Sequence, residues 1–470
     1  MEIPTKEEVK KIIEELNNKL KDEPENAVYW HDLGVAHMHL EEWKEAKEYL
    51  EHALTFLKGK DALTAHYHLG TIYAEQGLLD KALEEWKKVI EIDERNVFAH
   101  YSIAKVYAQK ELLDASLMHL RKADRYNTNR SIKIIHQTMA RVLMLKGEYE
   151  EAIDRWEKVI EIDKEDIDAH HQLAMLHLHL NNMEEAQSYC NKEISLGSND
   201  PSIFYNAGLA ALGLNQHEEA IKQFKKAIKQ GLDDTNLKTN LGEAYARNGQ
   251  PDEALNMWKQ AITEDKSNYN ASFNIGIVYF DNKLYKRAIE EWDRTLKINP
   301  DYLPALVTRA SAYLNLKEYE KAYKSITKAK QLDPDNDIIR INLAEILLYM
   351  DKPSQALEEA QSAAVKNNKS PLGFLLSACA YSKMGNYKQG ALALEQSYEI
   401  NSQIFELTAS LITKVLTQSE IKYLISHLED EKVEDNFVTS LEEYEKRIKE
   451  LDKNGKENKR VDKLLRNLLK

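Results

Sequence analysis

The chain has 470 residues and a formal net charge of −14, and 43% of its residues are hydrophobic. This apolar content supports a continuous core and argues against wholesale disorder, while the acidic balance argues against binding to nucleic acid, which needs a basic surface. Only Cys190 and Cys379 are present, which excludes a disulfide framework or a cysteine zinc site and is typical of a reducing compartment.

The N-terminal residues have the pattern of an amphipathic helix. Residues 4–22 place five apolar side chains on one helical stripe, Val9, Ile12, Ile13, Leu16 and Leu20. The start has no apolar stretch of the kind found in secretory signals, and no run in the chain approaches the roughly 18 apolar residues that span a bilayer. We therefore predict a cap helix and linker over residues 1–26 of a cytoplasmic protein.

From residue 27 onward the chain repeats one pattern of two amphipathic helices joined by a turn. A small residue in the middle of each first helix marks the repeat, at intervals of 34 or 36 residues: Gly34, Gly70, Ala104, Ala140, Ala174, Gly208, Gly242, Gly276, Ala310, Ala344 and Ala378. A second small residue follows twelve positions after each marker. The small side chains let the two helices approach closely, and a fixed period of this size indicates a repeat array.

Two consecutive blocks within residues 235–302 show the pattern most clearly. They match at their packing residues: Leu241-Gly242 with Ile275-Gly276, Tyr245 with Tyr279, Ala254 with Ala288, and Trp258 with Trp292. This pattern resembles the tetratricopeptide repeat (TPR). The resemblance implies an all-α fold, a right-handed superhelical solenoid of about eleven TPR helix–turn–helix units over residues 27–403, with helical caps.

Turn residues and tryptophans agree with this reading. One slot between the two helices carries residues that tolerate left-handed backbone: Gly77, Gly147, Gly249 and Gly385, and elsewhere Asn181, Asn215 and Asp351. Trp86, Trp156, Trp258 and Trp292 recur at one position of the second helices. A side chain that recurs at one packing position indicates a core residue rather than a cofactor site.

The C-terminal part departs from the repeat. Residues 404–452 contain three helical patterns, at 405–416, 420–428 and 436–451, and we predict a C-terminal helical cap there. Residues 453–470 carry seven basic and two acidic side chains, with an apolar stripe formed by Val461, Leu464, Leu465, Leu468 and Leu469. This pattern predicts a basic amphipathic helix that could tether the protein to itself, to an acidic partner or, peripherally, to a membrane surface.

No catalytic motif is present, and we predict neither an enzyme nor a bound cofactor. Most of the histidines lie between His31 and His179. Four of them occupy the slot of Trp30, where we predict packing: His66, His100, His136 and His170. The register of five others points to the inner surface of the array: His31, His39, His68, His171 and His179. We interpret these five as polar lining, with metal binding and pH sensing as open alternatives.

The first helices of a TPR solenoid form its concave face. The row two residues before the small marker contains Asn206, Asn240, Asn274 and Asn342. An amide both donates and accepts hydrogen bonds, so a ladder of asparagines can pair with the main chain of an extended peptide whatever its sequence. The alternative is that asparagine is simply frequent at this slot in the family.

The row three residues before the marker is aromatic, with Tyr67, Tyr101, Tyr205 and Phe273 as candidates for selecting peptide side chains. The alternative is packing against the next unit. Further on the same row becomes aliphatic, at Ile341 and Leu375, so we expect a groove that is polar and aromatic first and apolar later.

TPR domains that bind acidic chaperone tails need a lysine and an asparagine at positions where this chain has neither. Lys105 and Arg141, in adjacent units on the inner side, could still meet one acidic group. We therefore predict a non-catalytic protein–protein interaction scaffold that binds an extended peptide segment of a partner. The alternative is a structural assembly component tethered through residues 453–470, with homo-oligomerisation left open.

Overall fold

The computed structural model describes residues 5–127, 133–367, 370–401, 405–428, 433 and 435–443. All regular secondary structure within these ranges is helical, as predicted. The chain divides into two compact units, unit 1 (Met1–Leu232) and unit 2 (Asp233–Lys470). None of the helices in the described ranges is both long enough and apolar enough to cross a membrane.

Unit 1 begins with a single helix and continues with helix pairs. Its helices are α1 (Lys6–Asp22), α2 (Ala27–His39), α3 (Trp43–Phe56), a 3₁₀ turn (Gly59–Ala62), α4 (Leu63–Glu75), α5 (Leu79–Ile92), α6 (Val97–Gln109), α7 (Leu113–Tyr126), α8 (Lys133–Lys146), α9 (Tyr149–Ile162), α10 (Ile167–His179), α11 (Met183–Ser195), α12 (Pro201–Gly213) and α13 (His217–Lys229). The 3₁₀ turn contains the additional residues of the first of the two longer repeat intervals, between Gly34 and Gly70.

Unit 2 contains five further pairs, two shorter helices and a last helical stretch at residues 435–443. The pairs and the two shorter helices are α14 (Thr235–Arg247), α15 (Pro251–Glu264), α16 (Tyr269–Asp281), α17 (Tyr285–Ile298), α18 (Leu303–Asn315), α19 (Tyr319–Leu332), α20 (Asp337–Tyr349), α21 (Pro353–Asn367), α22 (Pro371–Lys383), α23 (Tyr387–Ile400), α24 (Phe405–Val415) and α25 (Gln418–Ile425). In both units the even-numbered helices from α2 to α22 are the first helices of the repeats.

The small markers are explained by the side chain that lies over them. In five repeats the marker is glycine, and a Cβ added there would lie within 2.5 Å of an atom of the second helix: Leu50 over Gly34, Trp86 over Gly70, Phe224 over Gly208, Trp258 over Gly242, and Trp292 over Gly276. All three indoles in this set also donate a hydrogen bond to a carbonyl of the first helix, as Trp258 Nε1 does to Thr239 O at 2.9 Å. The predicted core role of the tryptophans is confirmed, since all four of them are buried.

The turn between the two helices has the same backbone conformation in every repeat. The predicted residues have positive φ, from 57° at Asp351 to 81° at Gly147. The remaining repeats place Glu41, Glu111, Lys283 and Lys317 at the equivalent slot, each with φ near 60°. A left-handed residue there closes the first helix through backbone hydrogen bonds to its last turn, so the geometry is imposed by the turn whatever the residue type.

Additional helices pack against the first repeat, where α1 contacts α2, and against the last, where α25 contacts α22 and α23. Helix α1 starts with a capping box formed by Thr5 and Glu8, and buries Val9, Leu16 and Leu20, whereas Ile12 of the predicted stripe is exposed. In unit 2, Ile412 of α24 and Leu424 of α25 belong to one buried cluster with Ile341, Leu375 and Leu376. The aliphatic end of the predicted groove is therefore core and not open groove. The predicted basic helix at 453–470 lies outside the described residues.

Candidate functional site

The structure brings Tyr67 and Tyr101 together at one groove in unit 1. The groove has a volume of about 630 Å³ and lies on the first helices α4, α6 and α8, with α5 contributing Leu79 and Trp86. We call it the tyrosine groove, lined by Tyr67, Thr71, Ala74, Glu75, Leu79, Trp86, Val97, Phe98, Tyr101, Ser102, Lys105, Val106, Ala108, Gln109, Ile134, Ile135 and Thr138. Two of the eight predicted binding residues thus lie in one cavity.

Neighbouring repeats fix the two tyrosine rings. The hydroxyls of Tyr67 and Ser102 lie 3.5 Å apart, and those of Tyr101 and Thr138 lie 3.4 Å apart. Each tyrosine hydroxyl therefore contacts the next repeat, at the residue that lies two positions before the small marker of that repeat. Trp86 Nε1 donates to Tyr67 O at 3.1 Å and holds the backbone beneath the first ring. Both rings remain half-buried, with the unburied part on the groove.

Sequence reasoning missed the apolar wall of this groove. Phe98 is 59% exposed and Ile134 is 43% exposed, although both are large apolar side chains. They lie four residues before Ser102 and Thr138, so each pair shares one helix face. The sequence signal for this wall is a large apolar residue four positions before Ser102 or Thr138, which themselves lie two residues before the small marker.

The predicted asparagines lie on first helices in both units. Asn206 lies on α12 of unit 1, and Asn240, Asn274 and Asn342 lie on α14, α16 and α20 of unit 2. All four are half-buried, and α14 packs directly against α16. Within the described residues, the amides of Asn206, Asn274 and Asn342 make no hydrogen bond, whereas Asn240 has a polar contact. In unit 2, Asn240 and Asn274 are thus the closest pair of the predicted row.

The other two predicted aromatic residues have packing partners. The Phe273 ring lies edge-on to Tyr302 at 5.2 Å and 6.5 Å from the ring of Trp292. Tyr205 lies 5.9 Å from the ring of Phe224. Phe273 and Tyr205 are half-buried in these contacts, and a role in binding peptide side chains stays a prediction for both.

Three inward-facing histidines gather at the start of unit 1. The rings of His31 and His68 lie 5.5 Å apart, and Asp32 Oδ1 lies 3.1 Å from His31 Nδ1. Burial lowers the pKa of His68 to about 4, with a further contribution from the nearby His31 and His39. Within the part of the chain that the structure describes, no group of three or more His, Cys, Asp or Glu side chains is arranged to hold a metal ion.

The histidines in the Trp30 slot differ in burial: His66 is half-buried, with its Nδ1 2.7 Å from Oε2 of Glu85, and His100 is buried. His100 Nε2 donates to Glu94 O at 2.9 Å, and His100 Nδ1 lies 2.9 Å from His119 Nδ1. Burial, together with His100, lowers the pKa of His119 to about 4. His136 and His170 are also buried.

His171 has the opposite electrostatic environment. Its Nδ1 lies 3.2 Å from Oε2 of Glu193, a carboxylate that is only 2% exposed and that also accepts from the Ser198 hydroxyl at 3.0 Å. This hydrogen bond raises the pKa of His171. The pair ties α10 to the end of α11 and is a structural contact, because a buried carboxylate needs a partner that satisfies its charge.

Comparison with known sequences identifies the repeat. Family profiles described as tetratricopeptide repeat or TPR repeat match residues 29–58, 70–110, 140–180, 167–196, 205–255, 239–304 and 303–336. Together these segments cover more than half of the chain. No curated protein matches the chain at a significant level.

Solved structures with similar helical repeats include YrrB, Cut9 and yeast Tom70. YrrB, described as a TPR protein with an unusual peptide-binding site, is 24% identical, with 39% of this chain and 95% of that chain covered and a TM-score of 0.32. Cut9 from the APC/C hetero-tetramer Cut9–Hcn1 is 14% identical, with 83% and 84% covered and a TM-score of 0.43. Yeast Tom70 is 15% identical, with 90% and 96% covered and a TM-score of 0.38.

Proposed function

The chain belongs to the tetratricopeptide repeat family of protein-interaction scaffolds, and we propose that it binds an extended segment of a partner protein along its first helices, without catalysis. The observation that carries this proposal is the tyrosine groove. It is open, and it presents two aromatic rings that neighbouring repeats hold in place. Such rings supply contact area at little cost in side-chain entropy.

The asparagines would supply the main-chain contacts. Asn206, Asn274 and Asn342 have amides that no described residue satisfies, and an amide can pair with both the N–H and the C=O of a peptide backbone. Each such hydrogen bond contributes about 0.5–1.5 kcal/mol, so several are needed for measurable affinity. The proposal therefore assigns main-chain contacts to the asparagines and side-chain contacts to Tyr67 and Tyr101.

Affinity capture from native lysate tests the assignment with four baits. These are the intact chain, Tyr67→Ala/Tyr101→Ala, a variant with Asn206, Asn240, Asn274 and Asn342 changed to alanine, and the chain ending at Asp452. We expect the tyrosine and asparagine variants to retain less than about a tenth of the partner that the intact chain retains, because about 1.4 kcal/mol corresponds to tenfold in affinity. Unchanged capture by both variants would refute the proposal.

Two controls make the result specific. Asn191→Ala/Asn256→Ala removes two asparagines from second helices and is expected to leave capture unchanged. Circular dichroism must show that every bait keeps its helix content. Loss of the partner only on truncation at Asp452 would instead favour tethering through residues 453–470.

A further inference from the structure

The tyrosine groove combines exposed apolar side chains with a small number of charges. Phe98 and Ile134 form an apolar wall on successive first helices, and both leave a large fraction of their surface in solvent. Soluble proteins rarely leave neighbouring large apolar side chains uncovered unless another molecule covers them. The occupant of this groove must therefore bring apolar surface.

Lys105 is the only cation among the residues that line the groove. Its ammonium lies 5.9 Å from the centre of the Tyr101 ring, and among the described residues it makes no ion pair. Several other cations of unit 1 have carboxylate partners, as Lys133 does with Asp163 at 2.8 Å and Arg155 with Asp124 at 3.0 Å. In a chain with a net charge of −14, an unpaired lysine beside aromatic rings favours an anionic group in the occupant.

A second cation follows on the next first helix. Arg141 occupies on α8 the position that Lys105 occupies on α6, one residue after the small marker, and it lies one helical turn beyond Thr138 of the groove. Its guanidinium pairs with Asp168 at 2.8 Å, and both side chains are exposed. An exposed pair of this kind is weak, so an incoming carboxylate can compete for Arg141. Glu75 is the only anion that lines the groove.

We propose that the tyrosine groove binds a partner segment that combines a bulky apolar side chain with a neighbouring carboxylate. The apolar side chain packs between Phe98 and Ile134 on the ring of Tyr101. The carboxylate pairs with Lys105 and competes with Asp168 for Arg141. This inference rests on the proposed function and names the chemistry of the segment bound in unit 1.

Three labelled peptides test this chemistry by fluorescence anisotropy with the full chain. Peptides of about ten residues suffice, since an extended residue spans about 3.4 Å and neighbouring helices lie about 9 Å apart. One peptide alternates Phe with Glu, the second alternates Phe with Lys, and the third alternates Ser with Glu. We expect the Phe/Glu peptide to bind at least about tenfold more tightly than either of the others, and its affinity to fall with added salt.

Charge reversal assigns the preference to the groove. In Lys105→Glu/Arg141→Glu the Phe/Glu peptide is expected to lose at least about tenfold in affinity and the Phe/Lys peptide to gain. Lys87→Glu, a reversal at an exposed site on the second helix α5, is the matched control and is expected to leave the ranking unchanged. Rescue of the reversed protein by the Phe/Lys peptide distinguishes lost recognition from a lost fold.

The outcomes separate this inference from the proposed function. Equal binding of the Phe/Glu and Phe/Lys peptides, or a ranking that survives the charge reversal, overturns the inference while groove binding stands. Equal binding of the Ser/Glu and Phe/Glu peptides overturns it in favour of a simple anion site. If no peptide binds and capture of a partner survives Tyr67→Ala/Tyr101→Ala, both the inference and the proposed function fail.

Discussion

Gly242→Ala is expected to destabilise unit 2 by about 2–4 kcal/mol. The added Cβ would lie 2.4 Å from Trp258 Nε1 and 2.7 Å from its Cδ1, so the indole must move. Moving it also breaks the 2.9 Å hydrogen bond from Trp258 Nε1 to Thr239 O. Overpacking of a tight core costs about 1–3 kcal/mol, and a lost buried hydrogen bond adds about 1 kcal/mol. Urea unfolding followed by circular dichroism measures the change.

Two further variants show whether the indole is the cause. In a Trp258→Leu background, Gly242→Ala is expected to cost nothing, because the chain itself pairs Ala104 with Leu120 at the equivalent positions. Gly213→Ala is expected to stay within about 1 kcal/mol, since the new Cβ meets the flexible side chain of Met183. If Gly242→Ala is as mild as Gly213→Ala, the explanation of the glycine markers is wrong.

Unit 1 is expected to lose stability as the pH falls from about 6.5 towards 4. The pKa of His68 is about 4 in the folded protein, against about 6.5 for an unfolded histidine. On acidification the unfolded chain therefore binds the proton first, so stability is full above pH 6.5 and falls through this window. For His68 alone the loss between about pH 7.5 and pH 5 is about 1–2 kcal/mol. His119, whose pKa is also about 4, acts in the same direction.

His171 acts in the opposite direction, because its pKa is raised by Glu193. Its contribution is full below the unfolded pKa and is lost as the pH rises through the folded value, which partly offsets the acid loss. Urea unfolding at several pH values is the measurement. His68→Gln/His119→Gln is expected to flatten the pH dependence, whereas His427→Gln, an exposed histidine of unit 2, leaves it unchanged. If the free energy of unfolding depends equally on pH in the unaltered protein and in both variants, the assignment of the acid loss to His68 and His119 is wrong.

The repeat and its turns could be predicted from the sequence because small and left-handed residues recur at fixed spacing. The sequence did not predict left-handed backbone at Glu41, Glu111, Lys283 and Lys317, although φ is positive there as it is at the glycines. Side-chain type does not reveal a left-handed residue when the backbone hydrogen bonds of the turn impose it. In those repeats only the period locates the turn.

The choice between glycine and alanine at the marker could not be predicted from helix approach alone. Gly70 and Gly276 lie under indoles that donate to a first-helix carbonyl. Ala140 lies in the repeat of Trp156, whose Nε1 points instead to Met144 Sδ at 3.5 Å. The orientation of one ring therefore decides whether a methyl group fits, and this orientation depends on tertiary packing.

The candidate site was predicted in part. Counting from the small marker placed Tyr67 and Tyr101 on one helix face, and both line the groove. The same row also contains Phe273, which is half-buried against Tyr302, and Leu375, which is buried in the core. A row position defines the face of a helix, but the depth to which adjacent helices cover that face depends on contacts distant in sequence.

Photo-crosslinking tests the central claim most directly. A photo-reactive amino acid is placed at Phe98 of the tyrosine groove or, as a control, at Phe56, an exposed aromatic position on the second helix α3. The captured partner is then irradiated with each protein and the crosslinked residues are mapped. The account predicts crosslinks from Phe98 to one short continuous segment of the partner and few or none from Phe56. Crosslinks from Phe56 alone, or from both positions to scattered surfaces, would contradict binding in the groove.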